Sequence, residues 1–317
     1  MEPKNYLNGS GMLRVGGGHS IYWEDWGNAR AKVPIFFLHG GPGGGFRESD
    51  KLSFDPLRQR VIFFDQRGAG KSKLLGTVEN NTTQDLISDI DKLRKHLNIG
   101  VISLAGGSWG STLALCYAIA NPEVVQRMVI WGIFLAREVD NDYSYKGTGQ
   151  EQHFPDAWQR FISMVPELER GDPVSYFAKQ FEHRDKAVQK RYVTEWGLYD
   201  DSVMSIDDQI ERKVLESEPN DEDYEKDLAC AKIEAHYFSN KCFIEGNHIL
   251  KNAKSIRHIP TVIVHGRYDF ACSPSGAFEL SQLLGDNCYL HIVPSNHSRS
   301  DAVLREVVKA YNRSFLL

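Results

Sequence analysis

Short apolar runs that alternate with helical patterns constrain this chain more than any other feature. PIFFLHGG, RVIFFDQRG, VISLA and QRMVIWGIF are continuous apolar runs, most of them closed by glycine, as in strands buried on both faces. Helical patterns lie between them. Thr82 can cap a helix start with Asp85 reaching back, and Leu86, Ile90, Leu93 and Leu97 then recur on one face. TLALCYAIA reads as a second helix. Such alternation implies an α/β fold, a mostly parallel central sheet flanked by helices. Ahead of it, Met12 to Trp26 reads as a hairpin, two β-prone runs about a glycine turn.

The pattern breaks once. Between 136 and 254 apolar strands almost vanish, and amphipathic, aromatic and acidic segments such as FPDAWQRFISMV, SYFAKQFEHR and EKDLACAKIEAHYF replace them. Alternation resumes with PTVIVHGRYD, a helix through FELSQLL, the strand CYLHIVP and a last helix, DAVLREVVKAYNRSF. The expected organisation is a core domain made of 1–135 and 255–317, with an inserted helical cap over 136–254.

Composition narrows the partners. A formal net charge of −5 argues against nucleic acid and anionic membrane, neither of which attracts an acidic surface. No apolar run approaches the roughly 20 residues needed to cross a bilayer, and MEPKNYLNGSG lacks the apolar stretch of a secretion signal. The five cysteines are odd in number and form no CxxC pair. That suits reduced thiols in a cytoplasm better than a disulfide frame or a zinc site, so no metal is expected.

Within SLAGGSWGSTLAL, Ser108 stands between Gly106 and Gly110 at the joint of a strand and a helix. G-x-S-x-G in that setting is a nucleophile turn, with glycine wherever neighbouring backbone comes too close for a side chain. Alone, it could equally be a glycine-rich packing turn. A serine hydroxyl needs a base, and the base a carboxylate to orient it. Asp269 follows the strand TVIVHG and His297 follows CYLHIV, in the order Ser, Asp, His. Singly, these would read as a turn residue and a loop histidine; together, each at a strand end, they form a candidate triad. His39, His265 and His291 lie in or against strands and read as hydrogen-bonded structural groups. The backbone N–H groups of Trp109 and of Gly41, in the HGGPGGG loop, are the candidate oxyanion donors. GAGKS, Gly68 to Ser72, ends like a phosphate-binding loop, but Asp65 occupies the position where that loop needs glycine. No nucleotide or other cofactor is expected.

HGGPGGG, FFDQRGAGKS, GGSWGSTLAL, KIEAHYF and HGRYD together resemble the proline iminopeptidases (prolyl aminopeptidases), serine exopeptidases of the α/β-hydrolase fold. The resemblance runs along nearly the whole chain and implies removal of an N-terminal proline from short peptides with a free N-terminus, without metal or cofactor. It also implies acidic cap residues that hold the substrate ammonium. Glu234 in KIEAHYF matches one, and Asp200 in WGLYD stands where the family's W-x-x-W-E segment ends. The family's R-G-I-F appears as WGIF, with Trp131 in place of arginine and Phe134 kept as a wall of the proline pocket. A family tyrosine falls at Ser144, beside Tyr145. Two other readings stay open on the residues alone. One is a general esterase or amidase whose cap ignores ammonium; the other is a non-catalytic binding protein on the same fold.

Overall fold

The computed structural model describes residues 6–205 and 221–317. β1 (Leu7–Gly16) and β2 (His19–Gly27) form an antiparallel hairpin that joins the sheet through β4 (Arg60–Phe64). β3 (Ile35–Leu38), β5 (Ile102–Gly107), β6 (Val125–Trp131), β7 (Thr261–Gly266) and β8 (Cys288–Val293) complete it. Among the described residues the sheet has eight strands in the order β1-β2-β4-β3-β5-β6-β7-β8, parallel from β4 onward.

The apolar runs are buried on both faces. Phe36 and Leu38 of β3 enter one core with α1 (Thr83–His96), α2 (Trp109–Ala120) and α9 (Pro274–Leu284). Ile35 and Phe37 enter the other, with Leu304 and Val308 of α10 (Ala302–Phe315). The Thr82–Asp85 capping box is formed at the head of α1. β6 ends at Trp131, short of the full run through Phe134, because Gly132 takes φ +51° and turns the chain out of the sheet.

Chain order reverses at β3, whose neighbours are β4 and β5. Ligands of open α/β sheets bind beyond the carboxyl ends of strands at such a switch. Leu38 pairs in register with Gly106, which sets the loop after β3 beside the turn after β5. That turn leaves no room: a Cβ on Gly110 would fall 2.1 Å from the Leu38 carbonyl oxygen. Gly110→Ala is therefore expected to destabilise the protein by about 3 kcal/mol, read as a lower urea midpoint at unchanged slope.

Between β6 and β7 lie α3 (Glu138–Tyr145), α4 (Pro155–Ser163), α5 (Pro173–Phe181), α6 (Lys186–Met204), α7 (Asp221–Ser239) and α8 (His248–Asn252). Residues 206–220 of the expected cap fall outside the described residues. The inserted helices have an aromatic core of their own, in which the Phe161 ring stacks on Phe177 and Tyr199, each at 4.5 Å. α7 is shared. Its Leu228, Ala231 and Ala235 enter that core, whereas Ile233 and Tyr237 pack into the core beneath the sheet. No helix among the described residues is long and apolar enough to cross a membrane.

Candidate active site

Ser108 joins β5 to α2 with φ 56° and ψ −128°, a conformation costly for a residue with a side chain. Its N–H donates to the Trp131 carbonyl at 3.0 Å, which fixes the strained turn to the neighbouring strand. The side chain is half-buried and lines a cavity of about 730 Å³ between the sheet edge and the inserted helices.

His297 and Asp269 reach the same place from the ends of β8 and β7. His297 Nδ1 lies 2.8 Å from Asp269 Oδ2, both side chains being buried. The other carboxylate oxygen accepts the Cys272 N–H at 2.7 Å. Burial alone would raise the Asp269 pKa, but the charge and hydrogen bond of His297 hold it below the usual carboxylate range. Burial works the other way on His297, where the Asp269 charge and hydrogen bond, aided by Asp200, prevail and raise its pKa. With Nδ1 committed to the carboxylate, Nε2 is the nitrogen left for proton transfer. The ring packs on Gly132, where a Cβ would come within 2.9 Å of Cε1. Among the described residues neither Ser108 Oγ nor His297 Nε2 has a hydrogen-bond partner, so the two are not bonded to each other. Both face the cavity, and catalytic hydrogen bonds of this kind often tighten only when substrate arrives.

His265 also approaches Asp269, at 3.4 Å, without competing for it. Its Nδ1 accepts the Ile133 N–H at 3.0 Å, so its Nε2 carries the proton that goes to the Cys272 carbonyl at 2.9 Å. Burial lowers its pKa and keeps it neutral. His39 accepts the Gln66 N–H at 2.9 Å, and His291 lies 3.2 Å from the Tyr311 hydroxyl.

FFDQRGAGKS builds the floor of the site. Gln66 donates to the His39 carbonyl at 3.0 Å and accepts from the Trp109 indole at 2.9 Å, tying the glycine loop to the start of α2. Asp65 accepts the Phe46 and Lys71 N–H groups, each at 2.8 Å. Lys71 of GAGKS thus serves a turn. The Trp109 side chain is fully buried, and as the first residue of α2 its N–H has no acceptor within the helix. Gly41 lines the cavity with Ser108 and takes φ +113°; a Cβ there would meet the Gly43 nitrogen at 2.7 Å.

Glu234, Asp200, Phe134 and Tyr145 all line the same cavity. Glu234 is buried and accepts the Trp196 indole N–H at 2.8 Å. Asp200 is partly buried and lies 3.5 Å from the Tyr145 hydroxyl. Tyr145 stacks on Trp196 at 5.3 Å, and Phe134 meets Phe238 edge-on at 6.1 Å. Among the described residues no cation is ion-paired with either carboxylate. Burial raises the Glu234 pKa to about 7; burial, then the charges of Glu234 and Asp201, raise that of Asp200 well above its ordinary value. A buried carboxylate that acts on a partly buried one makes a site that gains from a cation.

Sequence reasoning missed Cys230 and Phe238, which also line the cavity. They stand four residues before and after Glu234 on α7, so one helical stripe carries all three, and extending that spacing would have found them. Trp131 also lines the cavity, and its indole nitrogen lies where a Cβ on Gly107 would reach, at 1.9 Å. Asp269, Cys272 and His297 form the one group among the described residues whose possible metal-ligand atoms fall within 4.8 Å of one another. The carboxylate is already engaged on both oxygens, and burial pushes the Cys272 thiol well above its usual pKa, which keeps it in the form metals bind poorly.

Residues 33–299 match the family described as alpha/beta hydrolase fold. A probable proline iminopeptidase of Leptolyngbya boryana is 39% identical over 308 residues, 96% of this chain and 93% of that protein. The proline iminopeptidase of Arabidopsis thaliana is 41% identical, over 92% of this chain and 76% of that one. Among solved structures, the Mycobacterium smegmatis proline iminopeptidase superposes with a TM-score of 0.60 at 17% identity, over 97% of both chains.

Proposed function

This chain belongs to the proline iminopeptidase family of the α/β-hydrolase fold, and from that we propose that it is a serine exopeptidase releasing an N-terminal proline from short peptides. The observation that supports this reading best is the pairing within one cavity of a strained serine and a His–Asp pair with a buried and a partly buried carboxylate that have no paired cation among the described residues.

In the proposed mechanism the substrate ammonium sits between Glu234 and Asp200, and the pyrrolidine ring packs on Phe134 and Tyr145. His297 Nε2 takes the Ser108 proton as Oγ attacks the prolyl carbonyl. Asp269 holds the imidazole in the required tautomer and stabilises its charged form. The Gly41 and Trp109 N–H groups receive the charge on the carbonyl oxygen, each worth about 3 kcal/mol of barrier. His297 then protonates the departing amine, and the shortened peptide leaves. Water, activated by the same imidazole, clears the prolyl ester. In this scheme residues 136–254 are a cap whose acidic wall selects a free N-terminus. Five free cysteines suit a reducing compartment, so the cytoplasm is the proposed location.

The test is a pair of substrates, Pro-p-nitroanilide and its N-acetyl form. Acetylation removes the ammonium and leaves the scissile bond untouched, so only the free amine should turn over well. Equal rates would favour a general amidase.

A pH profile carries a second test. His297 must be neutral to accept the serine proton, and Asp269 holds its pKa above the ordinary 6.5. Glu234, at about 7, must be ionised to hold an ammonium. Both requirements place the rising limb of kcat/KM above pH 6.5. The falling limb follows loss of the substrate ammonium at roughly pH 8 for an α-amine. A profile still rising past pH 10 would contradict ammonium recognition.

A further inference from the structure

The cavity has two electrically different ends. On the inserted helices Asp200, Asp201 and Glu234 line it, and among the described residues no cation from those helices does. Away from those helices Arg47, Arg299, Arg305 and Lys309 outnumber Asp50 and Glu306, and of these Arg47 stands nearest the acidic wall, where its charge acts on Asp201. Lys309 and Arg305 both pair with Glu306, at 2.9 and 3.6 Å. Arg299 is held differently.

Arg299 lies two residues beyond His297, and its guanidinium carbon sits 5.1 Å from the centre of the Trp131 ring and 5.9 Å from that of Phe37. One terminal nitrogen pairs with Asp50, and the other lies 3.4 Å from Ser53 Oγ. The Trp131 carbonyl is the acceptor that fixes the Ser108 backbone. Stack and ion pair thus hold a planar cation against the strand that sets the nucleophile. A guanidinium has five N–H donors, and among the described residues only these two contacts draw on them. It remains about a quarter exposed, on the cavity wall.

Given the exopeptidase reading, on which this inference rests, the substrate has a fixed direction. Its ammonium lies toward Glu234 and its scissile carbonyl at Ser108, so the leaving residue extends away from the acidic wall, toward the basic rim. A dipeptide carries a carboxylate one residue beyond the scissile bond. We propose that Arg299 receives this carboxylate and makes the enzyme selective for dipeptides with a free C-terminus. A guanidinium fixed by stacking suits a carboxylate better than a flexible lysine does, because less freedom is lost on forming the bond.

The experiment measures kcat/KM for Pro-Gly, Pro-Gly-amide and Pro-p-nitroanilide on the parent, Arg299→Gln, and Arg299→Gln combined with Asp50→Asn. The double variant removes the ion pair as a unit and leaves no unpaired carboxylate. The parent should favour the acid over the amide about tenfold, the scale of one charge-assisted hydrogen bond at a partly exposed site. Both variants should bring that ratio near one, mainly through KM for the acid. An acid-to-amide ratio near one in the parent overturns the proposal without recourse to any variant, and so does a preference that survives in either variant. If the parent turns over Pro-p-nitroanilide but shows no acid preference, only this inference fails. If it turns over none of the three, the exopeptidase reading fails and takes the inference with it.

Discussion

Replacing Ser108 by alanine is expected to lower kcat on Pro-p-nitroanilide by about 10⁶-fold, the largest effect of any single change in this protein. The hydroxyl is the one group proposed to form a bond with substrate, and its backbone is held at φ 56° for that purpose. His297→Ala should cost nearly as much, and the double variant scarcely more than either, because nucleophile and base act as a unit. Stability should barely change in Ser108→Ala, since Oγ has no hydrogen-bond partner among the described residues. A fluorophosphonate that labels the parent and not Ser108→Ala is the independent readout. A parent that fails to label would favour a binding protein on this fold.

Glu234→Gln is expected to lower kcat/KM for Pro-p-nitroanilide by about a hundredfold, equivalent to roughly 3 kcal/mol. Glutamine keeps the volume and can still accept the Trp196 N–H, so the change removes mainly charge. A buried ammonium would then face Asp200 alone. A simple ester without an amine makes no use of that charge, and its hydrolysis should change less than about threefold. Equal losses on both substrates would mean that Glu234 maintains the shape of the cavity. The variant should also move the Asp200 pKa downward, because the neighbouring charge that helps raise it is gone.

The sheet was legible because apolar runs buried on both faces admit few other readings. Ser108, Asp269 and His297 stood out as chemistry-bearing residues just beyond such runs. The limits of that reading are equally physical. Run length did not reveal that β6 stops at Trp131, because the turn depends on Gly132 meeting the His297 ring from another part of the chain. Nor did the sequence show that Gln66 ties the glycine loop to α2; a glutamine beside an aspartate carries no sign of its partners. Glu234 and Asp200 were visible through resemblance to a family. Their shared isolation from cations depends on how α6 and α7 pack, which no local pattern encodes. Arg299 was invisible for a related reason, since its role depends on Trp131, far away in sequence.

The double allegiance of α7 limits how this enzyme can breathe. Swinging the inserted helices away as a detached lid would pull Ile233 and Tyr237 out of the packing beneath the sheet, at a cost of about 4 kcal/mol for two large side chains. Glu234, on the same helix, is therefore expected to keep a constant offset from Ser108, like two marks on one ruler. In the proposed mechanism peptides then enter past the rim, and the width of that doorway is expected to set the size of molecule admitted.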